Sequence, residues 1–406
     1  MLFRELLTQE LTSKRDEFAR FAESQSDEIE SYLALIQELS LKKGAEEVKA
    51  DLNDRRKENV GAIPSDELDQ LKSIKLAFEP RWQNHEEARS WALQVLQDRT
   101  TFAADGSQIT FEREISLRVA AIQVGTFENP HNADGSYRKQ ASILIVSPQD
   151  IANFADEFEE PIRTATIIGL RRFQAEVKAL KKFLESKRGW HERAERMPLA
   201  FFDGTLLISF SQPNSSVQHQ YIETARQLVL LSKEVQVPLV GYIAQSEARD
   251  LIGLLDNLTS RNMLHQPSKT LIDAELLSVK TLQNWGDRTI FFRCERQGLS
   301  DYFVDLDNNA LVGLVYLQTT SDSIPARLDI PAWIYESGLL AEVVDTVRAE
   351  CVVGLGYPYA LETADATAVL TVRDRETFLR ALQDFSAREN LNFRVSNKRM
   401  SKARRR

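Results

Sequence analysis

Cysteine and histidine are scarce. The 406 residues include two isolated cysteines, Cys294 and Cys351, and five scattered histidines. That excludes a Cys/His zinc framework and a disulfide scaffold, and suits a reducing cytoplasm. No run of ~20 uninterrupted apolar residues occurs, so no membrane span is expected. The start, MLFRELLTQELTSKRDEF, is amphipathic and acidic early, without the basic start and compact apolar stretch of a secretory signal. An excess of positive charge is missing too. At a formal net charge of -9 the chain is no nucleic-acid coat, and any DNA contact must use a local groove. The one dense basic segment, SNKRMSKARRR, reads equally as a solvated end or a phosphate-binding arm. What the chain does have is apolar mass, 43% of its residues, enough for a large core. At about 150 residues per domain, two or three units are expected.

Residues 1–98 form the first region. Leu2, Leu6, Leu7, Phe18, Phe21, Ile29, Leu33, Ile36 and Leu39 recur at helical intervals, while Gly44, Gly61 and Pro64 mark loops. The plain reading is a helical bundle or coiled-coil arm, with an interaction role riding on it. At Thr100 the texture changes. TTFAADGSQITF, ISLRVAAIQVGTF and QASILIVSP predict three strands, and Asp134-Gly135 between the last two is a hairpin signal. A long helical pattern then runs from Ile151 to Lys187. After it strands (PLAFFDGTLLISF, PLVGYIAQS) alternate with helices (SSVQHQYIETARQLVLLSKEV, EARDLIGLLDNL). RTIFFRCE, ALVGLVYLQT and ARLDIPAWI predict later strands, with helices near 338–350 and 361–390. Hairpin strands followed by alternation imply an α/β protein: a mixed sheet with helices on its faces.

Two aspartates stand out because each directly follows an apolar run. Alternation puts Thr101, Ala103 and Asp105 on one strand face, and Leu199, Phe201 and Asp203 on another. Each is expected at the carboxyl end of its strand, where such sheets expose a ligand crevice. Gly106 and Gly204 leave room for a backbone or a phosphate. If the strands are neighbours the carboxylates converge, and converging carboxylates need a shared proton or a cation. Oxygen-only ligands select magnesium or manganese, and two such ions form the usual clamp for cutting phosphodiesters. Further carboxylates must come from helices. At about 100° per residue, Glu176 falls roughly 40° off the apolar stripe Leu170, Phe173, Val177, Leu180 and Leu184, and Glu185, about 60° off the other edge, is the reserve. A solvated helix glutamate is the ordinary alternative for either. In ALETADATAVL, Asp365 falls among Leu361, Ala364, Ala368 and Val369, an apolar setting that needs a partner or a metal; a buried arginine pair is the alternative. FFDGTLL resembles the phosphatase signature D-x-D-G-T of the haloacid dehalogenase class, but Phe201 stands where its nucleophile would be, so that reading fails.

From Thr100 onward the segments ADGSQ, FFDGTL, PLVGYI, DAELL with GDRTIFF, RLDIPAW and GYPYALETAD, in that order and spacing, make the chain resemble the NurA nucleases. The resemblance implies a ribonuclease H-like mixed sheet flanked by helices over residues 99–395, between the helical N-terminal region and a basic tail, 396–406. It implies a metal-dependent DNA nuclease using manganese or magnesium, with two ions. Such an enzyme resects 5′ to 3′, can cut single strands, and acts in end resection and double-strand break repair. It also implies a homodimer working on single- and double-stranded DNA ends with a HerA-type hexameric ATPase. By motif, Asp105 and Asp203 match strand ligands and Glu176 the helix glutamate, although KRGWHERAERM lengthens the gap to Asp203. Tyr357 matches a tyrosine near the scissile phosphate. Asp365 stands where the family motif ends in histidine, a departure that leaves open a catalytically impaired DNA clamp or motor adaptor, or another ribonuclease H-like nuclease. The N-terminal helices and the basic tail are the expected docking surfaces.

Overall fold

The apolar runs after Thr100 become strands, most of them buried on both faces. The structure, a computed structural model, describes residues 3–42, 44–54, 60–110, 115–116, 118–156, 163–208, 216–258, 268–296, 302–305, 309–392 and 394. The basic tail, 396–406, and Leu2 lie outside them. The strands are β1 (Gly61–Pro64), β2 (Lys75–Leu76), β3 (Thr101–Thr110), β4 (Ala120–Asn129), β5 (Arg138–Val146), β6 (Leu199–Asp203), β7 (Leu239–Ile243), β8 (Arg288–Thr289), β9 (Phe292–Glu295), β10 (Val312–Leu317) and β11 (Ala326–Pro331). Among the described residues no helix is long and apolar enough to cross a membrane.

Two units divide the chain. The first comprises Met1–Pro80, Ala244–Gln297 and Gly313–Arg327. Its long helix Arg15–Lys42 buries Tyr32, Ile36 and Leu39, as their spacing requires, and Tyr32 Oη donates to Asp256 Oδ1 at 2.6 Å. Leu6, Leu7, Phe18 and Phe21, assigned to the same stripe, are exposed. The N-terminal stretch is also less uniformly helical than its periodicity suggests. VGAIP supplies β1, which pairs antiparallel with β9, and β2 pairs with β8. The motif residues of DAELL and GDRTIFF are spent inside this unit. Asp273 accepts from the Leu251 and Ile252 amides and from Tyr316 Oη. Asp287 holds Lys75 and the Phe78 amide, and Arg288 holds Glu67. Buried polar groups persist when they are bonded in this way.

The second unit comprises Arg81–Ile243, Gly298–Val312 and Leu328–Arg406. Its sheet has the order β11-β7-β6-β3-β4-β5. β3, β4 and β5 form an antiparallel meander, and the connection before β5 carries the expected turn, with Gly135 at φ 68 and Asp134 Oδ1 accepting from the Ser136 amide at 2.8 Å. β6 then returns beside β3 and runs parallel to it, and β7 is parallel to β6. Three antiparallel strands followed by parallel ones reached through helices give the mixed, helix-flanked sheet expected of a ribonuclease H-like fold. The helix Thr164–Ser186 buries Ile167, Leu170, Phe173, Val177, Leu180 and Leu184 at three- and four-residue spacing. Alongside it lies Ser216–Val235, joined by Gln174–Gln220 at 3.4 Å, Lys181–Gln227 at 3.0 Å and Arg188–Glu234 at 2.7 Å. The constant sequence offset of those pairs means the two helices run in the same direction.

Candidate active site

β3 and β6 are in register from Thr101 opposite Leu199 to Ala104 opposite Phe202. The next residue on each strand is an aspartate, so Asp105 and Asp203 come side by side. Asp203 ends its strand, as expected. Asp105 does not, because β3 continues to Thr110 against β4 after β6 has stopped. The result is a notch beside Asp105, along the edge that β6 vacates.

Helices reach this notch from both faces of the sheet. On the face of Phe102 and Gly106 lies Thr164–Ser186, with Phe102 stacked on Phe183 at 4.5 Å. A Cβ on Gly106 would strike Glu176 Oε1 and approach Arg172 Cγ to 2.9 Å. The glycine thus makes room for Glu176, rather than for a phosphate. Glu176 is buried, its Oε1 lies 3.4 Å from Arg172 Nε, and Arg172 Nη1 donates to the Gly106 carbonyl at 3.1 Å. Burial pushes Glu176 up to about 8; Arg172 pulls it down, and the charges of Asp105 and Asp203 push it further up. Glu185 is exposed on the same helix, so Glu176 is the glutamate brought to the aspartates.

The opposite face carries the helix Tyr359–Ala368. Gly125 is the β4 partner of Asp105, and a Cβ there would come within 2.7 Å of the Ala364 carbonyl. The helix backbone therefore rests directly on β4. Ser107 Oγ donates to the Ala368 carbonyl, Gln123 Nε2 does so at 3.2 Å, and the buried Glu350 accepts from the Ala360 amide at 2.9 Å. Gly125→Ala should cost about 1–3 kcal/mol of stability by overpacking this contact. Urea unfolding measures it, and an unchanged midpoint would mean that the helix is not seated there.

So seated, the helix brings Asp365 close enough to Asp105 to raise it. Sequence reasoning put Asp365 inside the apolar face; it is exposed, and Val369 lies past the helix end at 48% exposure. The stripe in contact is Leu361, Ala364 and Ala368, which turns Asp365 to the rim. Tyr357, in the preceding turn, donates its hydroxyl to Asp203 Oδ1 at 3.1 Å and sets its ring edge-on to Tyr242 at 5.2 Å. Burial, then the Asp203 charge, raises the phenol, so it remains a donor.

Asp105 is pushed up to about 6, first by burial, with the Gly106 amide opposing and Asp365 and Asp203 adding. Asp203 opens to solvent, yet the cleft walls thin the water at its carboxyl and raise it, Tyr357 opposing and Asp365 adding. Among the described residues no three His, Cys, Asp or Glu side chains converge tightly enough to cage a metal as they stand. Neighbouring carboxyls are eased by a shared proton, and a cation can take that proton's place. The donors are all oxygen, which fits a hard divalent ion. Sequence reasoning missed Gly125, Arg172 and Glu350. For Gly125 a signal existed, because an isolated glycine inside a strand marks close backbone approach. Several tryptophans are spent on packing: Trp82 against Trp91 at 5.3 Å, Trp333 buried, and Trp190 donating to the Gln236 carbonyl.

The profile of one protein family, the NurA domain, matches residues 99–370. No curated protein matches the chain. Among solved structures, a crystal structure of NurA with manganese shares 9% identity over 83% of this chain and 95% of its own, with a TM-score of 0.40. A structure of NurA bound to dAMP and manganese shares 11% over 71% and 88%, at 0.36. The catalytic domain of human Endonuclease V shares 13% over 74% and 96%, at 0.31.

Proposed function

The chain belongs to the NurA family, and from that premise we propose that it is a metal-dependent deoxyribonuclease. The observation that carries this reading is that Asp105 and Asp203 stand side by side in the notch where β6 stops, with Asp365 at its rim and Glu176 near enough to feel the charge of both strand aspartates. Asp105 and Asp203 would flank the site for one or two manganese or magnesium ions, and Glu176 and Asp365 would complete it. When bound, such ions activate water and stabilise the leaving oxygen of a phosphodiester. Tyr357 keeps its proton and donates it to Asp203; with metal on the Asp203 oxygens, that one proton would be released to turn to a phosphate oxygen instead. Asp365 supplies a carboxylate where the family motif has histidine.

Family membership supports the finer reading: 5′ to 3′ resection of DNA ends, cutting of single strands, and double-strand break repair in the cytoplasm as a homodimer with a HerA-type hexameric ATPase. Residues 99–395 would be the nuclease domain and residues 1–98 the region for dimer or partner contacts. The test is incubation of end-labelled single- and double-stranded DNA with manganese, with and without chelator. Chelator-sensitive shortening is the expected result. Binding without shortening would favour a DNA clamp or motor adaptor, and cutting confined to RNA or junctions would favour another ribonuclease H-like enzyme.

A further inference from the structure

One more carboxylate bears on the notch without entering it. Asp329, in β11, is fully buried. Between β11 and β6 runs β7, which presents Gly241 at the crossing. A Cβ on Gly241 would lie 3.3 Å from Asp329 Cβ and 2.7 Å from the Gly204 carbonyl. Asp329 thus reaches across a bare stretch of strand to the turn that follows Asp203. Its Oδ2 accepts from Thr205 Oγ1 at 2.5 Å and from the Leu206 amide at 3.1 Å, and Thr205 Oγ1 accepts from the Leu207 amide at 3.0 Å. Gly204, between Asp203 and this bonded turn, has φ 123, a conformation that favours glycine.

We propose that Asp329 is a positioning residue for Asp203, holding the turn at Thr205 and Leu206 so that the Asp203 carboxylate keeps its place in the notch. The proposal rests on the metal-site reading above. Its physical basis is the strand end. The last bond to β7 runs from the Gly204 amide to the Tyr242 carbonyl at 3.0 Å, so the ladder fixes the backbone as far as Gly204 and leaves the turn beyond it unheld. Two hydrogen bonds to one buried acceptor, out of competition with water, supply the missing restraint. Such supporting bonds are what set the aim of ligand side chains. Asp329 itself needs only to offer an acceptor oxygen at this point.

Three variants test it: Asp329→Ala, Asp329→Asn and Thr205→Val. Amide hydrogen exchange at Leu206 is read in the metal-free protein, and Mn2+ affinity is read from the paramagnetic resonance signal of free ion, with no DNA present. Asp329→Ala should lose the protection at Leu206 and bind Mn2+ about ten- to a hundredfold more weakly. Asp329→Asn, which keeps an acceptor oxygen, should stay close to the parent. Thr205→Val should fall between them. A folded Asp329→Ala protein with parental Mn2+ affinity would overturn the proposal. If Asp329→Ala does not fold, Thr205→Val decides, and unaltered Leu206 exchange and Mn2+ binding there would overturn it equally. A parent protein that binds no Mn2+ would instead sink the metal-site reading, and this inference with it.

Discussion

Asp105→Asn is expected to reduce manganese-dependent DNA cleavage on the order of a thousandfold or more, because it removes a central anion from the proposed site while keeping shape. The fold should survive. Asp105 sits in a strand paired on one side along its whole length, and its carboxyl is held above the ordinary range, first by burial and further by Asp365 and Asp203. Above about pH 6 the native charge is therefore a burden, and the amide relieves it. Cleavage of end-labelled DNA at saturating manganese and thermal unfolding of the metal-free protein together check both halves. Full activity in a folded variant would remove Asp105 from the chemistry.

Glu176→Gln should separate activity from stability. Cleavage should fall about a hundredfold or more with the loss of a charged oxygen donor. Stability should move the other way. Glu176 is held up to about 8 in the fold, chiefly by burial, against 4.5 for the free side chain. Between those values the folded protein keeps a proton that the unfolded chain has released, so stability declines as pH rises through the interval. Glutamine abolishes that decline. The metal-free variant should melt a few degrees above the parent at about pH 9, and the two should coincide at about pH 4. Equal melting temperatures at high pH would show that Glu176 is not strained. A gain of this kind at the cost of function is common where active sites hold unfavourable charge.

The strand pattern was legible because apolar runs and turn chemistry are local properties. TFAADGSQIT and LAFFD are strands, and Asp134-Gly135 is a turn, for reasons contained in those residues. That Asp105 and Asp203 could meet was also readable, since each follows an apolar run. That β3 runs on past Asp105 after β6 has stopped was not, because its pairing there belongs to β4 alone. β1 and β2 were hidden for the same reason: their pairing partners, β9 and β8, lie more than two hundred residues away in sequence. The phase of Asp365 escaped periodicity because it is set by where the helix backbone touches Gly125, and a strand glycine signals a close approach without saying which turn of which helix makes it. DAELL and GDRTIFF marked the right family but not the site, since their charges are consumed in buried pairs.

The early stop of β6 leaves a window through an otherwise closed wall, and the acidic groups framing it are mounted on independent supports. Glu176 is carried by a helix stacked through aromatic rings, Asp365 by one lying bare-backed on a strand. A bulky guest could therefore press one jamb outward without dragging the other. A single extra ladder rung past Asp203 would shut the opening and leave those carboxylates on opposite sides of a partition.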